Sequence, residues 1–235
     1  MMNGVFVIAK KEIRQLTHNT QLMVSALAMA LIFGAISGPA LMATGGTGTG
    51  IGIDTLLFTF GLMIGLLIGY ILSGQTFLRE KQDGTIETLL AGPLPVKEIW
   101  LGKVIGVLIP AYVLTLVSTA LMIIIAGFLK GETLIPSGPI ILHLVTVVPA
   151  FIACGVGVLG FIQLLLGMRE NQIINIAVIF GLIFLISFSS ELLGPGFTIS
   201  WAGEGVTLAV TVALLLAVNA MTRFLDKERI VRTIP

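Results

Sequence analysis

Residues 79–103 read REKQDGTIETLLAGPLPVKEIWLGK, and this is the only internal segment of the 235-residue chain that is dense in charge. It is set between two long apolar runs. The whole chain is 56% hydrophobic and only 11% charged, with a mean hydropathy of +1.08. Soluble proteins carry about 25% charged residues. The composition therefore predicts an integral membrane protein in which this segment is a polar loop between two membrane spans.

The first half of the loop has the chemistry of a short helix. Asp83 and Thr85 are residue types that can cap free amides at a helix start, and Gly84 allows the chain to turn between them. Glu87 would lie in the first turn, where a negative charge suits the positive end of the helix dipole. These residues predict that a helix begins near Thr85.

An apolar edge and a firm stop complete this helix. Ile86, Leu89 and Leu90 recur at helical spacing and form one apolar face. Pro93 and Pro95, after Gly92, end the helix because proline has no amide hydrogen and disfavours helical geometry in the residue before it. The pattern predicts two short helices with a break between them, the first amphipathic and offering its apolar edge to a partner.

The order of these residues resembles the cytoplasmic-loop motif of ABC-2 type transporter permeases, the membrane subunits of a class of ATP-driven exporters. The residues that carry the resemblance are Arg79, Glu80, Asp83, Gly84, Thr85, Glu87, Leu89, Leu90, Pro93 and the pair Gly102-Lys103. The resemblance implies an all-α fold with six spans and a coupling helix in the loop. It also implies that the positions from Arg79 to Pro93 in this set contact an ATPase.

The hydropathy of the chain agrees with six spans. A helix needs about 20 apolar residues to cross the hydrocarbon. Six stretches are long enough, and only Glu204, at the start of the last one, puts an acidic or basic side chain within a stretch away from its very ends. They cover residues 21–43, 55–75, 104–129, 140–166, 173–192 and 203–222 of a single membrane domain, 1–235.

The distribution of basic residues predicts the orientation. With the N-terminus inside and six spans, twelve of the thirteen lysines and arginines face the cytoplasm, and only Lys130 does not. Both termini and the loop 76–103 are then cytoplasmic, and the protein is a multi-pass protein of the cytoplasmic (inner) membrane. Residues 1–19 read either as an interfacial helix on the bilayer or simply as a basic start that holds the N-terminus inside.

The outer segment 191–205 is rich in apolar residues and includes Trp201, a residue type that suits the membrane interface. We expect it to re-enter the outer surface, as the family resemblance also implies. Gly61, Gly65 and Gly69 form a face of small residues that serves either intrachain helix packing or a dimer seam.

Catalytic, cofactor and metal sites are not predicted. The chain has one cysteine, Cys154, two separated histidines, His18 and His143, and no phosphate-loop motif. We expect His143 to be an interface residue. Polar and aromatic residues of the second and fifth spans are candidates for a substrate path, with lipid contact or core packing as the alternative for the aromatic ones: Phe58, Phe60, Asn175, Phe180, Phe184 and Phe188.

The function implied by the resemblance is a permease subunit of an ABC exporter, which is not itself an enzyme. The implied partners are a second permease copy, giving a homodimer, two copies of a cytoplasmic ATPase that hold the ATP and magnesium, and the lipid bilayer, with no nucleic acid. Two alternatives stay open. A secondary carrier would need ionisable groups at mid-membrane, and a non-transporting assembly factor would share the same charge pattern.

Overall fold

The computed structural model describes residues 2–45, 53–131, 133–166 and 199–225, with isolated positions at 173, 176–177, 180–181, 183–184 and 230. Within these residues the chain is helical and has no strand. The helices are α1 (Met2–His18), α2 (Thr20–Gly45), α3 (Ile53–Ser73), α4 (Arg79–Gln82), α5 (Thr85–Leu90), α6 (Val96–Lys130), α7 (Gly138–Leu142), α8 (Val148–Leu165) and α9 (Trp201–Met221). Two π-helical turns, Gly74–Leu78 and His143–Val147, join α3 to α4 and α7 to α8.

Five helical segments in the described part of the chain are long and apolar enough to cross a membrane: Thr20–Ser37, Asp54–Gln82, Val96–Lys130, Gly138–Leu165 and Trp201–Phe224. They coincide with five of the six predicted spans, which confirms an all-helical, multi-pass membrane protein. The remaining predicted span, 173–192, lies largely outside the described residues.

Helix directions follow from the contacts between helices. Thr115 of α6 lies beside Gly65 of α3, whereas Lys103, three turns earlier in α6, reaches the Thr76 carbonyl, beyond α3. Helices α3 and α6 are therefore antiparallel. Three charged side chains, Glu12, Glu80 and Lys103, meet where α6 begins, and we call this the charged end of the bundle.

Helices α8 and α9 run in the same direction. Cys154 of α8 lies near the Thr211 carbonyl of α9, and Gly157 lies against Val218 further along the same helix. Because α8 ends at the charged end, α9 begins at the opposite end. Leu166 and Ile199, the described residues on either side of the predicted fifth span, consequently lie at opposite ends of the bundle.

The glycine face of α3 packs within the chain. A methyl group added at Gly65 would lie 2.7 Å from Ile152, and one added at Gly69 would lie 3.0 Å from Val156. Gly61 faces Leu144 and Val148 in the same way. Small residues here let α3 and α8 approach closely, so intrachain packing, rather than a dimer seam, accounts for this face.

Helix α1 packs lengthwise on the first turns of α6. Gly102 lies under Ile8 and Gly106 under Glu12, so the two helices run parallel with a constant offset. Lys10 and Arg14 remain exposed on the other side of α1. A helix thus forms where an interfacial helix was predicted, and its inner face is held by α6.

The loop after α5 differs from the prediction of two short helices. Pro95 is the N-cap of α6, and residues beyond the prolines enter this helix directly and continue without interruption to Lys130. The long apolar continuation favours one helix because each added residue extends a structure that has already been nucleated. The predicted outer segment is likewise revised, since Trp201 opens α9 and Ser200 caps it by accepting from Gly203 N at 3.1 Å. Residues 191–198 lie outside the described part.

Gly106→Ala tests the close contact of α1 with α6. The added methyl carbon would lie 2.5 Å from Cβ of Glu12, too close for the backbones to keep their places, and we expect a loss of about 1–3 kcal/mol of stability. Thermal unfolding of the purified protein in lipid nanodiscs measures the change. Gly74→Ala is the control, because no atom lies within 4 Å of a methyl group there. Equal stability of the two variants would contradict this packing.

Candidate functional site

A buried ion cluster forms the centre of the charged end. Lys103 of α6 is fully buried, and its Nζ lies 2.6 Å from Glu80 Oε2 as an ion pair without hydrogen-bond alignment. The same ammonium donates to Glu12 Oε1 at 3.2 Å and to the Thr76 carbonyl at 2.8 Å. It also lies 5.5 Å from the ring centroid of Phe77. One lysine therefore joins α1, the turn after α3, α4 and α6.

Lys11 completes the cluster from its exposed edge. Its Nζ donates to Glu80 Oε1 at 2.8 Å and to Glu12 Oε1 at 3.3 Å. Burial alone lowers the pKa of Lys11, but the hydrogen bond that Lys11 donates to Glu80 and the charges of Glu12 and Glu80 outweigh it, so the pKa lies above its usual value. Two lysines and two glutamates give a cluster with no net charge.

Such a cluster positions helices more than it adds stability. Removing ions from water is expensive, and a buried pair often contributes little compared with apolar residues of the same size. Removing one partner, however, leaves the other buried and uncompensated. The helices that carry Glu12, Glu80 and Lys103 are therefore held to one arrangement.

Lys81 makes a second buried connection. Its side chain is fully buried and donates to the carbonyl oxygens of Leu164 at 3.1 Å and Leu166 at 2.6 Å. These carbonyls end α8, where a positive charge suits the helix dipole and the last carbonyls lack helical partners. Neighbouring residues Glu80 and Lys81 thereby join α4 to both α6 and α8.

Helix α5 lies directly after this connection and has one buried and one exposed face. Ile86 and Leu90 are 1% and 5% exposed and pack into the core of this chain. Glu87 and Thr88 are exposed, and Leu89 is half-buried. The resemblance implied that Leu90 contacts an ATPase, and this expectation is corrected because its side chain packs inside this chain instead.

The turn before α5 does not use the predicted caps. Gly84 itself is the N-cap residue, with a left-handed φ of 69°, and no side chain caps the helix. Thr85 instead donates from Oγ1 to the Glu80 carbonyl at 3.2 Å, and Asp83 pairs with Arg79 at 3.7 Å on the exposed surface. The turn needs glycine because side chains disfavour a positive φ.

A polar cleft of about 650 Å³ separates α1 from α4 and α5. Lys11 and Gln15 line one wall, and Asp83, Thr85 and Thr88 line the other. Glu87 and Pro93 are exposed and do not line this cleft. The charged end thus presents the short helix α5 beside a cleft lined mainly by polar side chains. No cluster of three metal-binding side chains occurs among the described residues.

The family profile described as ABC-2 family transporter protein matches residues 10–190. The chain belongs to the ABC-2 transporter family. The matched residues include the buried ion cluster, the cleft and α5, so the predicted resemblance is confirmed over most of the chain. No curated protein matches the sequence. As an ABC-2 protein the chain is a membrane component of an ABC transporter and not its ATPase.

Four of the six predicted path residues of this ABC-2 protein lie in the part of the chain that the structure describes. Phe58 is buried near the end opposite the charged cluster, Phe60 is half-buried, and Phe180 and Phe184 are 68% and 69% exposed. Asn175 and Phe188 lie outside the described residues.

The burial of Glu12, which lies on the apolar face of α1 between Ile8 and Leu16, was not predicted from the sequence. An acidic side chain at that spacing needs a buried partner, and this was the available signal. The prediction for His143 was wrong: its ring is fully buried and Nδ1 lies 3.1 Å from Glu204 Oε2. Glu204, placed by the sequence in the outer segment, is equally buried.

Lys103→Met tests the ion cluster. The variant leaves two glutamates facing a single, half-exposed lysine, and we expect a loss of about 3–5 kcal/mol. Adding Glu80→Gln should restore part of it, with a coupling of about 0.5–3 kcal/mol in a double-mutant cycle of unfolding free energies. Arg79→Met is the control, because it breaks an exposed pair worth less than about 1 kcal/mol. Additive effects of Lys103→Met and Glu80→Gln would contradict a shared cluster.

Proposed function

We propose that this chain is the permease subunit of an ABC exporter and that α5 receives movement from a separate cytoplasmic ATPase. The observation that supports it best is the attachment of α5. Its buried face is fixed by Ile86 and Leu90, and its exposed face carries Glu87. A helix held in this way moves together with the elements beneath it instead of bending alone.

The ion cluster would distribute that movement. A displacement of α5 reaches α4 through the Gly84 turn, and α4 carries Glu80 and Lys81. Glu80 connects to α6 through Lys103, and Lys81 connects to the end of α8. These contacts form a continuous chain of packed and charged groups of the kind through which two sites are coupled. Helices α6 and α8, and α3 through the π-helical turn that joins it to α4, would then respond to one contact.

The proposed contact uses Glu87, Thr88 and the half-buried Leu89, with Arg79 and Asp83 at the rim. At the start of α5 this surface is held by the Gly84 turn and by the hydrogen bond from Thr85 to the Glu80 carbonyl. Pro93 lies at its far edge. The cleft beside α1 offers space for a segment of the partner. The partner would hold the ATP and magnesium, since the function of this chain requires no cofactor of its own.

The proposed assembly contains two permease copies and two ATPase copies in the inner membrane. Apolar side chains are exposed along α2 at Val24, Ile32 and Ile36, and along α9 at Val206 and Val210. They provide surface for lipid and for the second copy, proposed here as a homodimer. Six spans are proposed because Leu166 and Ile199 lie at opposite ends, so the chain between them has to cross the membrane once.

The orientation can be tested by cysteine labelling in a Cys154→Ser background. Asp83→Cys lies at the charged end, which we place in the cytoplasm, and Thr133→Cys lies at the other end of α6; both positions are exposed. In intact cells an impermeant thiol reagent should label Thr133→Cys and leave Asp83→Cys unlabelled until the cells are opened. Labelling of Asp83→Cys in intact cells would show that the charged end faces outward and would contradict this orientation.

Coupling can be tested with Glu87→Lys. A reversed charge on the exposed face of α5 should weaken co-purification with the ATPase and lower ATP hydrolysis by the reconstituted complex, while permease folding stays normal. Lys130→Glu is the matched control, because it reverses an exposed charge at the opposite end of α6. Leu90→Asp should behave differently and destabilise the chain itself, since an unpaired charge would enter the core.

Normal assembly and normal ATP hydrolysis in Glu87→Lys would exclude α5 as the contact. A secondary carrier would show no dependence on an ATPase at all. A non-transporting assembly factor would bind the ATPase, but adding it to reconstituted membranes would not change the rate of ATP hydrolysis.

A further inference from the structure

A histidine and a glutamate are buried together at the end opposite the charged cluster. His143 belongs to the π-helical turn His143–Val147, and Glu204 lies in the first turn of α9. Neither side chain is accessible to solvent, and Nδ1 of the ring lies 3.1 Å and 3.3 Å from the two carboxylate oxygens. This contact joins the short α7 segment to α9. The proposed ATPase contact does not use it.

The surroundings of the pair are mostly apolar. The Phe58 ring lies against the imidazole with centroids 4.4 Å apart, and Nε2 of His143 is buried without a hydrogen-bond partner among the described residues. The only other side chain that donates to the Glu204 carboxylate in the described part is Thr207, with its Oγ1 at 3.3 Å from Oε2. Among the described residues no lysine or arginine forms an ion pair with Glu204.

Other titratable groups on the surrounding helices have contacts of their own. Asp54 of α3 accepts from Ser137 N at 3.1 Å, and Tyr112 of α6 donates to the Leu144 carbonyl at 3.0 Å. Cys154 of α8 points to the Thr211 carbonyl at 3.8 Å. None of these contacts brings a positive charge to the pair. Its charge therefore depends on the protons that His143 and Glu204 hold themselves.

In water at neutral pH a glutamate is ionised and most histidine is neutral, which would leave a net negative charge on this pair. An isolated charge in an apolar interior is very costly, whereas one bound proton makes the pair neutral. We propose that His143 and Glu204 form a proton-binding site that carries one proton at neutral pH and fastens the start of α9 to the π-helical turn.

The proton occupies either the imidazole or the carboxyl group, and both forms keep a hydrogen bond between Nδ1 and Glu204. Loss of the proton leaves a buried carboxylate with a neutral ring, which favours separation of α9 from the turn and entry of water. A π-helical turn is a frequent feature of functional sites and is less regular than the surrounding helix. The site would thus make the packing of this end dependent on pH.

The proton can be observed directly because the chain has only two histidines. In a His18→Gln background, nitrogen-15 NMR of labelled histidine reports only on His143, in the full chain in lipid nanodiscs. Infrared difference spectra against Glu204→Gln report the protonated carboxyl group. At pH 7.5 we expect either an imidazolium with an ionised carboxylate or a neutral imidazole with a protonated carboxyl. A neutral imidazole with an ionised carboxylate, or protons on both groups, would overturn the proposal.

The fastening role is tested by thermal unfolding at several pH values. The folded protein binds the extra proton, so its stability should fall as the pH rises above neutrality, by roughly 3–5 °C per pH unit for one proton. The double variant His143→Gln with Glu204→Gln keeps polar contact but cannot titrate there, and this slope should disappear. If the double variant does not fold, Glu204→Gln alone serves the same purpose.

Asp54→Asn is the matched control, since it neutralises another carboxylate near the same end and should keep the slope. Equal slopes in wild type and Glu204→Gln would show that the pair does not fasten α9. Neither measurement needs the ATPase, so failure of this proposal and failure of the proposed coupling are distinguishable.

Discussion

The contact on which the charged end of this protein depends is the fully buried Lys103 ammonium between Glu80 and Glu12. Each carboxylate comes from a different helix, and neither can be left alone without the cost of an unpaired buried ion. The positions of α1, α4 and α6 are consequently linked. Lys81 extends the linkage to α8 by occupying the carbonyls at its end. Four elements are thus held by two neighbouring residues of α4.

This arrangement explains how a short helix can be both exposed and firmly attached. A six-residue helix is not stable by itself in water, because nucleation costs more than so few hydrogen bonds return. Helix α5 is held by the burial of Ile86 and Leu90 and by the turn at Gly84. Its polar side chains can then face a partner without weakening the fold. Apolar burial supplies the anchor, and the ion cluster supplies the connection to the spans.

The sequence predicted well whatever depends on local pattern. Apolar length located five described spans, and Pro95 with Gly84 located the break and the turn around α5. It predicted less well which side of a helix is buried. Leu90 and Glu87 are three residues apart, and their local pattern does not distinguish a face packed on the chain from one packed on a partner. Glu12 and His143 acquire their surroundings from residues far away in sequence, Lys103 and Glu204, and no local period encodes such pairings.

Ionisable side chains are buried near both ends of the bundle, and the groups that compensate their charge differ between the two ends. At the charged end two lysines face two glutamates, so each buried carboxylate has a lysine as its ion-pair partner. At the other end no lysine or arginine among the described residues pairs with Glu204, and its basic partner is an imidazole, which carries a positive charge only when protonated. The first cluster pairs its own lysines with its own glutamates and links the helices through them. The second is neutral only with a bound proton. Burial away from water therefore holds the helices together at the charged end and makes the packing of the other end depend on pH.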